Sequence, residues 1–133
     1  MLYVDTSALL KRYVDEAESD LVDELLGGDD GLVTGRHTVV EVRRNLARLL
    51  DGRALAEARR AFAVDLEAFA VVELDAVTCE MSATIAEQTG VRSLDALHLG
   101  AAQRVGGSAL TFVTFDLRQA QAARNLGFTV LGA

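Results

Sequence analysis

No proline interrupts the 133 residues, tryptophan is absent, and two tyrosines and five phenylalanines make up the whole aromatic complement. Leu, Val and Ala must therefore pack the core, and helices can run without a proline break. A single cysteine, Cys79, excludes an internal disulfide and suits a reducing cytosol. It reads as a small buried apolar residue. With one cysteine and two histidines, the sequence also argues against a zinc cluster. No stretch approaches the ~18 apolar residues of a membrane span. The start, MLYVDTSALL, carries no basic leader, so an unanchored cytoplasmic protein is expected.

Half of the residues are hydrophobic, enough for a real core, and the length suits one domain covering residues 1–133. The net charge of −7 argues against coating nucleic acid through overall charge. It leaves room for local patterning, because Lys11 is the only lysine and every other base is arginine. Arginine grips phosphate through a planar two-pronged contact.

Short β-prone runs alternate with helical periodicity along the chain. Leu2–Val4 reads as a strand, followed by a helix that Thr6 or Ser7 can cap. A second helix is expected from Glu16 to Leu26, then the loop Gly27-Gly28-Asp29-Asp30-Gly31 and a strand at Leu32–Thr34. Helices over Thr38–Leu50 and Ala54–Phe69 precede a strand at Val71–Leu74. Ala76–Thr89 is helical with Gly90 after its end. Ser93 can cap a helix from Leu94 to Val105. A strand at Thr111–Phe115, a helix over Leu117–Leu126 and a strand at Phe128–Leu131 complete the chain. This alternation predicts an α/β fold of three layers, with helices on both faces of a short, mostly parallel sheet.

In such a sheet, ligands bind beyond the carboxyl ends of the strands. Asp5 and Asp116 each fall where a strand hands over to a helix, and each is either a site residue or a plain N-cap. Asp95 opens a helix that is apolar nearly all round, so its carboxylate needs a partner: Arg92 or a cation. Glu41 has Arg44 and Asn45 at i+3 and i+4, the setting of an ordinary surface ion pair. His98 lies on the Asp95 side of its helix. It can bond that carboxylate or touch substrate, although a packed structural role is the stronger reading. His37 reads as a solvated or capping residue. Several carboxylates on one sheet edge repel each other, and a bound Mg²⁺ or Mn²⁺ removes that penalty.

VDTSALLKRY at the start, a glutamate on the third helix, RSLDALHLGAA in the second half and FVTFD near the end together resemble a PIN domain of the VapC toxin group. The likeness covers essentially the whole chain, in order. It implies a Mg²⁺- or Mn²⁺-dependent endoribonuclease in which Asp5, Glu41 and Asp95 hold metal, with Asp116 as a more variable fourth acid. Thr6, Ser7 and Thr114 would support that site. The resemblance also implies a homodimer and a cognate VapB-type antitoxin whose C-terminal segment lies in the active-site groove. RHTVVEVRR surrounds Glu41 with more base than the family's helix start. Arg12, Arg44, Arg92 and Arg118 are candidates for holding RNA phosphate.

Two rival readings use the same features. An Asp at the first strand end followed by Thr6 also resembles haloacid dehalogenase-type phosphatases. Those carry a second Asp where Ser7 stands here, and a later lysine that this chain does not have. A non-catalytic module binding RNA or protein through the same fold is the other; the full set of acids favours catalysis over it.

Overall fold

A computed structural model of the chain describes residues 1–28 and 31–133. Asp29 and Asp30 of the expected glycine-rich loop lie outside the described residues. The elements run β1 (Leu2–Val4), α1 (Thr6–Tyr13), α2 (Ser19–Leu26), β2 (Leu32–Gly35), α3 (His37–Leu49), α4 (Gly52–Leu66), β3 (Phe69–Val72), α5 (Ala76–Thr89), α6 (Ser93–Val105), β4 (Thr111–Thr114), α7 (Leu117–Asn125) and β5 (Thr129–Gly132).

The five strands form one sheet in the order β3-β2-β1-β4-β5, and every pairing is parallel. The strands are short but sharply two-sided, because successive side chains alternate faces. Leu2 and Val4 enter one core with Leu9, Val42, Leu46 and Phe62. Tyr3, between them, enters the other core with Leu99, Phe112 and Ala123. Phe112 and Val113 divide in the same way. Residues of α1, α3 and α4 line the first core, and residues of α5, α6 and α7 the second. The result is the three-layer α/β/α arrangement expected, with a sheet that is wholly parallel. No helix among the described residues is long and apolar enough to cross a membrane.

Several local expectations shift. The Glu16–Leu26 helix starts only at Ser19, because the Glu16 amide donates to Ser19 Oγ (2.9 Å) and Lys11 holds Glu16 and Glu18 (both 2.7 Å). The Ala54–Phe69 helix ends at Leu66, and Phe69 instead starts β3 opposite Leu32, where its ring reaches the core. Neither Thr6 nor Ser7 caps α1; Asp5 does. Ser93 is the first residue of α6 rather than its cap, and Arg92 precedes it without a side-chain cap bond. Cys79 is exposed, not buried, because it lies on the outward face of α5 while Thr78 and Ser82 turn inward. Gly90 ends α5 in the left-handed conformation (φ 74°) that suits glycine.

α5 and α6 pack closely against each other. A Cβ on Gly100 would lie 2.0 Å from Ser82 Oγ, so only glycine lets the two backbones come this close. Ser82 is itself buried and donates to the Thr78 carbonyl (2.7 Å).

Candidate active site

β1 pairs with β2 on one side and β4 on the other, which places the sheet's switch point between β1 and β4. Asp5 directly follows β1, and Asp116 lies just beyond β4. Both caps anticipated from sequence are made. Asp5 Oδ1 accepts from the Ala8 amide (3.1 Å), and Asp116 Oδ1 from the Gln119 amide (2.9 Å). A cap bond occupies one oxygen, so capping does not exclude a second task for either carboxylate.

Ser7 ties the two strand ends together. Its hydroxyl donates to Asp5 Oδ1 (2.7 Å) and accepts from the Phe115 amide (3.0 Å), with Thr114 Oγ1 at 3.2 Å. Thr114 Oγ1 in turn accepts from the Asp116 amide (3.1 Å). The small hydroxyl residues are thus braces between β1 and β4.

Asp95 reaches the same edge from the first turn of α6 and is half-buried. Burial lifts its carboxyl above the usual range, and the negative charges of Asp116 and Asp5 add to the rise against the pull of His98 and Arg92. Burial likewise lifts Asp5, outweighing His98, the Thr114 and Ser7 hydroxyls and the Ala8 amide. Asp5, Asp95 and Asp116 therefore share one electrostatic neighbourhood. Sequence reasoning overlooked Gln119, which is fully buried and donates from Nε2 to the Asp95 carbonyl (3.1 Å), joining α7 to α6.

Glu41 stands apart from its local neighbours. Arg44 is exposed, and Asn45 donates to the Glu41 backbone carbonyl (2.9 Å), so the i+3/i+4 ion pair is replaced by contacts across the fold. Glu41 Oε1 accepts from Thr6 Oγ1 (2.9 Å) and from His98 Nε2 (2.8 Å). His98 Nδ1 shares a hydrogen bond with the Tyr3 hydroxyl (2.8 Å). An ionised carboxylate only accepts, so His98 Nε2 carries a proton toward Glu41. Thr6 and His98 thus join Glu41 to the elements carrying Asp5 and Asp95.

His37 is neither solvated nor a cap: it is 6% exposed. As the first residue of α3 it folds back over Gly35, with its ring centroid 4.0 Å from that of His98. Among the described residues, neither ring nitrogen has a hydrogen-bond partner. Burial, helped by the neighbouring His98, lowers its pKa to about 4; Glu41 and the Leu94 backbone pull weakly the other way, the latter short of hydrogen-bond geometry.

The arginines divide. Arg92 and Arg118 line a cleft of about 360 Å³ together with Asp95, Leu117 and Gln121. Arg44 sits with Arg43 and Arg59 on a separate surface. Arg12 is engaged within the chain, by Asp65 (2.6 Å) and Asp23 (3.0 Å). Lys11 holds Glu16 and Glu18 and lies 4.9 Å over the Phe115 ring. Among the described residues no lysine or arginine forms an ion pair with Asp5, Asp95 or Asp116. Oxygen donors and uncompensated negative charge fit a hard divalent ion such as Mg²⁺ or Mn²⁺.

The chain as a whole is similar to known proteins. The family described as PIN domain matches residues 2–125. Ribonuclease VapC35 of Mycobacterium tuberculosis is 35% identical over 135 residues, covering 98% of this chain and 96% of that protein. Ribonuclease VapC47 of the same species is 32% identical over 132 residues, covering 96% and 93%. The crystal structure of M. tuberculosis VapC20, a sarcin-ricin loop cleaving toxin, superimposes with a TM-score of 0.71 at 19% identity, over 92% of this chain and 95% of that one.

Proposed function

The chain belongs to the PIN-domain family, alongside the VapC ribonucleases, and from that premise we propose that it is a Mg²⁺- or Mn²⁺-dependent endoribonuclease, the toxin of a VapBC-type pair. The observation that carries the reading is the set of carboxylates at the sheet's switch point, Asp5, Asp95 and Asp116, none of which forms an ion pair with a lysine or arginine among the described residues.

Asp5, Glu41, Asp95 and Asp116 are the residues that would hold the ion. When bound, such an ion supplies Lewis acidity toward water and toward the phosphate oxygens. The chain's own residues do the rest. Ser7 and Thr114 fix the two strand ends, so the Asp5 and Asp116 carboxylates keep their spacing when RNA arrives. Asp95, reaching the edge from the first turn of α6, would help orient the attacking water. Thr6 and His98 hold Glu41 Oε1 in place. Arg92 and Arg118, which line the same cleft as Asp95, would grip the RNA backbone by its phosphates. Arg12 and Arg44 would add to that grip only along a longer track. The homodimer and the VapB-type antitoxin, whose basic side chain would enter the acidic cleft, complete the reading, with the cytoplasm as the place of action.

The test compares cleavage of total RNA by the protein and by Asp5→Asn, with and without Mn²⁺. Cleavage that needs Mn²⁺ and disappears in the variant supports the proposal; equal cleavage by both proteins removes it.

A further inference from the structure

The strand-end acids leave one cluster of side chains unexplained, where His37 and Glu41 of α3 meet His98 of α6. The chain has only two histidines, and both rings come together here. One donor atom from each of the three residues lies within 4.8 Å of the others. His98 Nε2 is 2.8 Å, and His37 Nε2 3.9 Å, from Glu41 Oε1. A tetrahedral ion with bonds of about 2.0–2.1 Å sets its donor atoms about 3.3 Å apart, which these separations bracket.

An independent observation comes from His37 itself. It is almost wholly buried, and neither of its nitrogens has a hydrogen-bond partner among the described residues, an arrangement that folded proteins rarely tolerate. The sequence even makes room for it: a Cβ on Gly35 would lie 2.6 Å from His37 Cε1 and 2.7 Å from Nδ1.

We propose that His37, Glu41 and His98 form a two-histidine, one-carboxylate site for an imidazole-preferring divalent cation of the zinc class. The scarcity of cysteine and histidine spoke against zinc in the linear sequence, but the fold brings together every histidine the chain has. Imidazole suits zinc, whereas Mg²⁺ and Ca²⁺ prefer oxygen, so the cluster differs in chemistry from the strand-end acids and shares only Glu41 with them. For His98 to bind through Nε2, its proton must sit on Nδ1, where the Tyr3 oxygen can accept it. The site stands on the cluster alone and holds whether or not the chain cleaves RNA.

The experiment uses the full chain, freed of metal with a chelator and labelled with ¹⁵N at histidine, titrated with Zn²⁺ and followed by NMR of the imidazole nitrogens. The expected result is one equivalent of Zn²⁺ shifting one nitrogen of each ring, with the His98 proton moving to Nδ1. Co²⁺ in place of Zn²⁺ should give the visible absorption of a four-coordinate centre. His37→Gln should weaken Zn²⁺ binding at least about 10-fold, whereas Cys79→Ser, which removes the exposed thiol on α5, should retain the wild-type affinity. Unshifted histidine nitrogens, or zinc affinity falling as far in Cys79→Ser as in His37→Gln, would overturn the proposal. If His37→Gln does not fold, the wild-type imidazole spectrum decides.

Discussion

Two neighbouring regions of this molecule are built in opposite ways. At the ends of β1 and β4, Asp5 and Asp116 are fixed by amides three residues ahead, and Ser7 bonds a carboxylate two residues behind it. In the cluster where α3 meets α6, each bond joins distant segments: Tyr3 to His98, Thr6 to Glu41, Glu41 to His98. The strand-end region assembles from local motifs plus one sheet pairing. The cluster exists only once β1, α3 and α6 have packed. Local motifs position acids, whereas tertiary packing decides what those acids touch.

Glu41 belongs to both regions, so its removal should have the largest effect. Glu41→Gln is expected to lower Mn²⁺-dependent RNA cleavage at least about 100-fold, measured as initial rate on a defined RNA. Wild-type rates would detach the cluster from the acidic edge. Next comes Gly35→Ala, which pushes a methyl group against His37 and the Tyr3 hydroxyl, 3.0 Å away. Overpacking of this kind costs about 1–3 kcal/mol, readable in a urea melt, and should fall on the cluster while the strand-end caps persist.

Ser7→Ala probes the local region. It removes the hydroxyl between Asp5, Thr114 and Phe115, and cleavage should fall roughly 10-fold while the fold is kept, as with other supporting residues around metal ligands. A loss of folding instead would show that Ser7 holds the sheet edge rather than the acids.

The smallest effect lies outside both regions, at Asp65. Burial raises its carboxyl, but hydrogen bonds from Arg12 and Tyr13 win, and its pKa is lowered. A depressed carboxylate stabilises the fold above its unfolded value and loses that contribution as pH falls through the lower, folded value. Asp65→Asn should therefore cost about 1 kcal/mol at neutral pH, with the difference from wild type fading in acid. Asp5 and Asp95 act in the opposite sense. Their raised values favour the metal-free fold below the unfolded pKa, and that advantage is lost as pH rises through the folded ones. Thermal melts in chelator across pH separate the two behaviours.

The same contrast explains what could be read from the linear chain. The alternation of short strands and helices announces the three layers, and strand ends followed by Asp5 and Asp116 announce the edge. Ser7 and Thr114 were legible as hydroxyls beside acids. Phe69 was not legible as a strand residue, because its place is set by pairing with Leu32 rather than by helical spacing. His37 was misread as solvated, since nothing nearby in sequence reveals that Gly35 leaves room for its ring. Gln119 was invisible for the same reason: its partner is a backbone carbonyl on another helix. Cys79 was misplaced because a lone cysteine carries no directional signal, and the face of α5 decides.

The close seam between α5 and α6 has a consequence for anyone wishing to retune this protein. α6 carries both Asp95 and His98, while α5 contributes no ionisable group to either region. α5 thus acts as a gauge block, and the depth at which α6 sits is set by a missing methyl group at Gly100 against Ser82. Changing the bulk at position 82 would slide both functional side chains together, like a shim under a bearing, without altering a single charge.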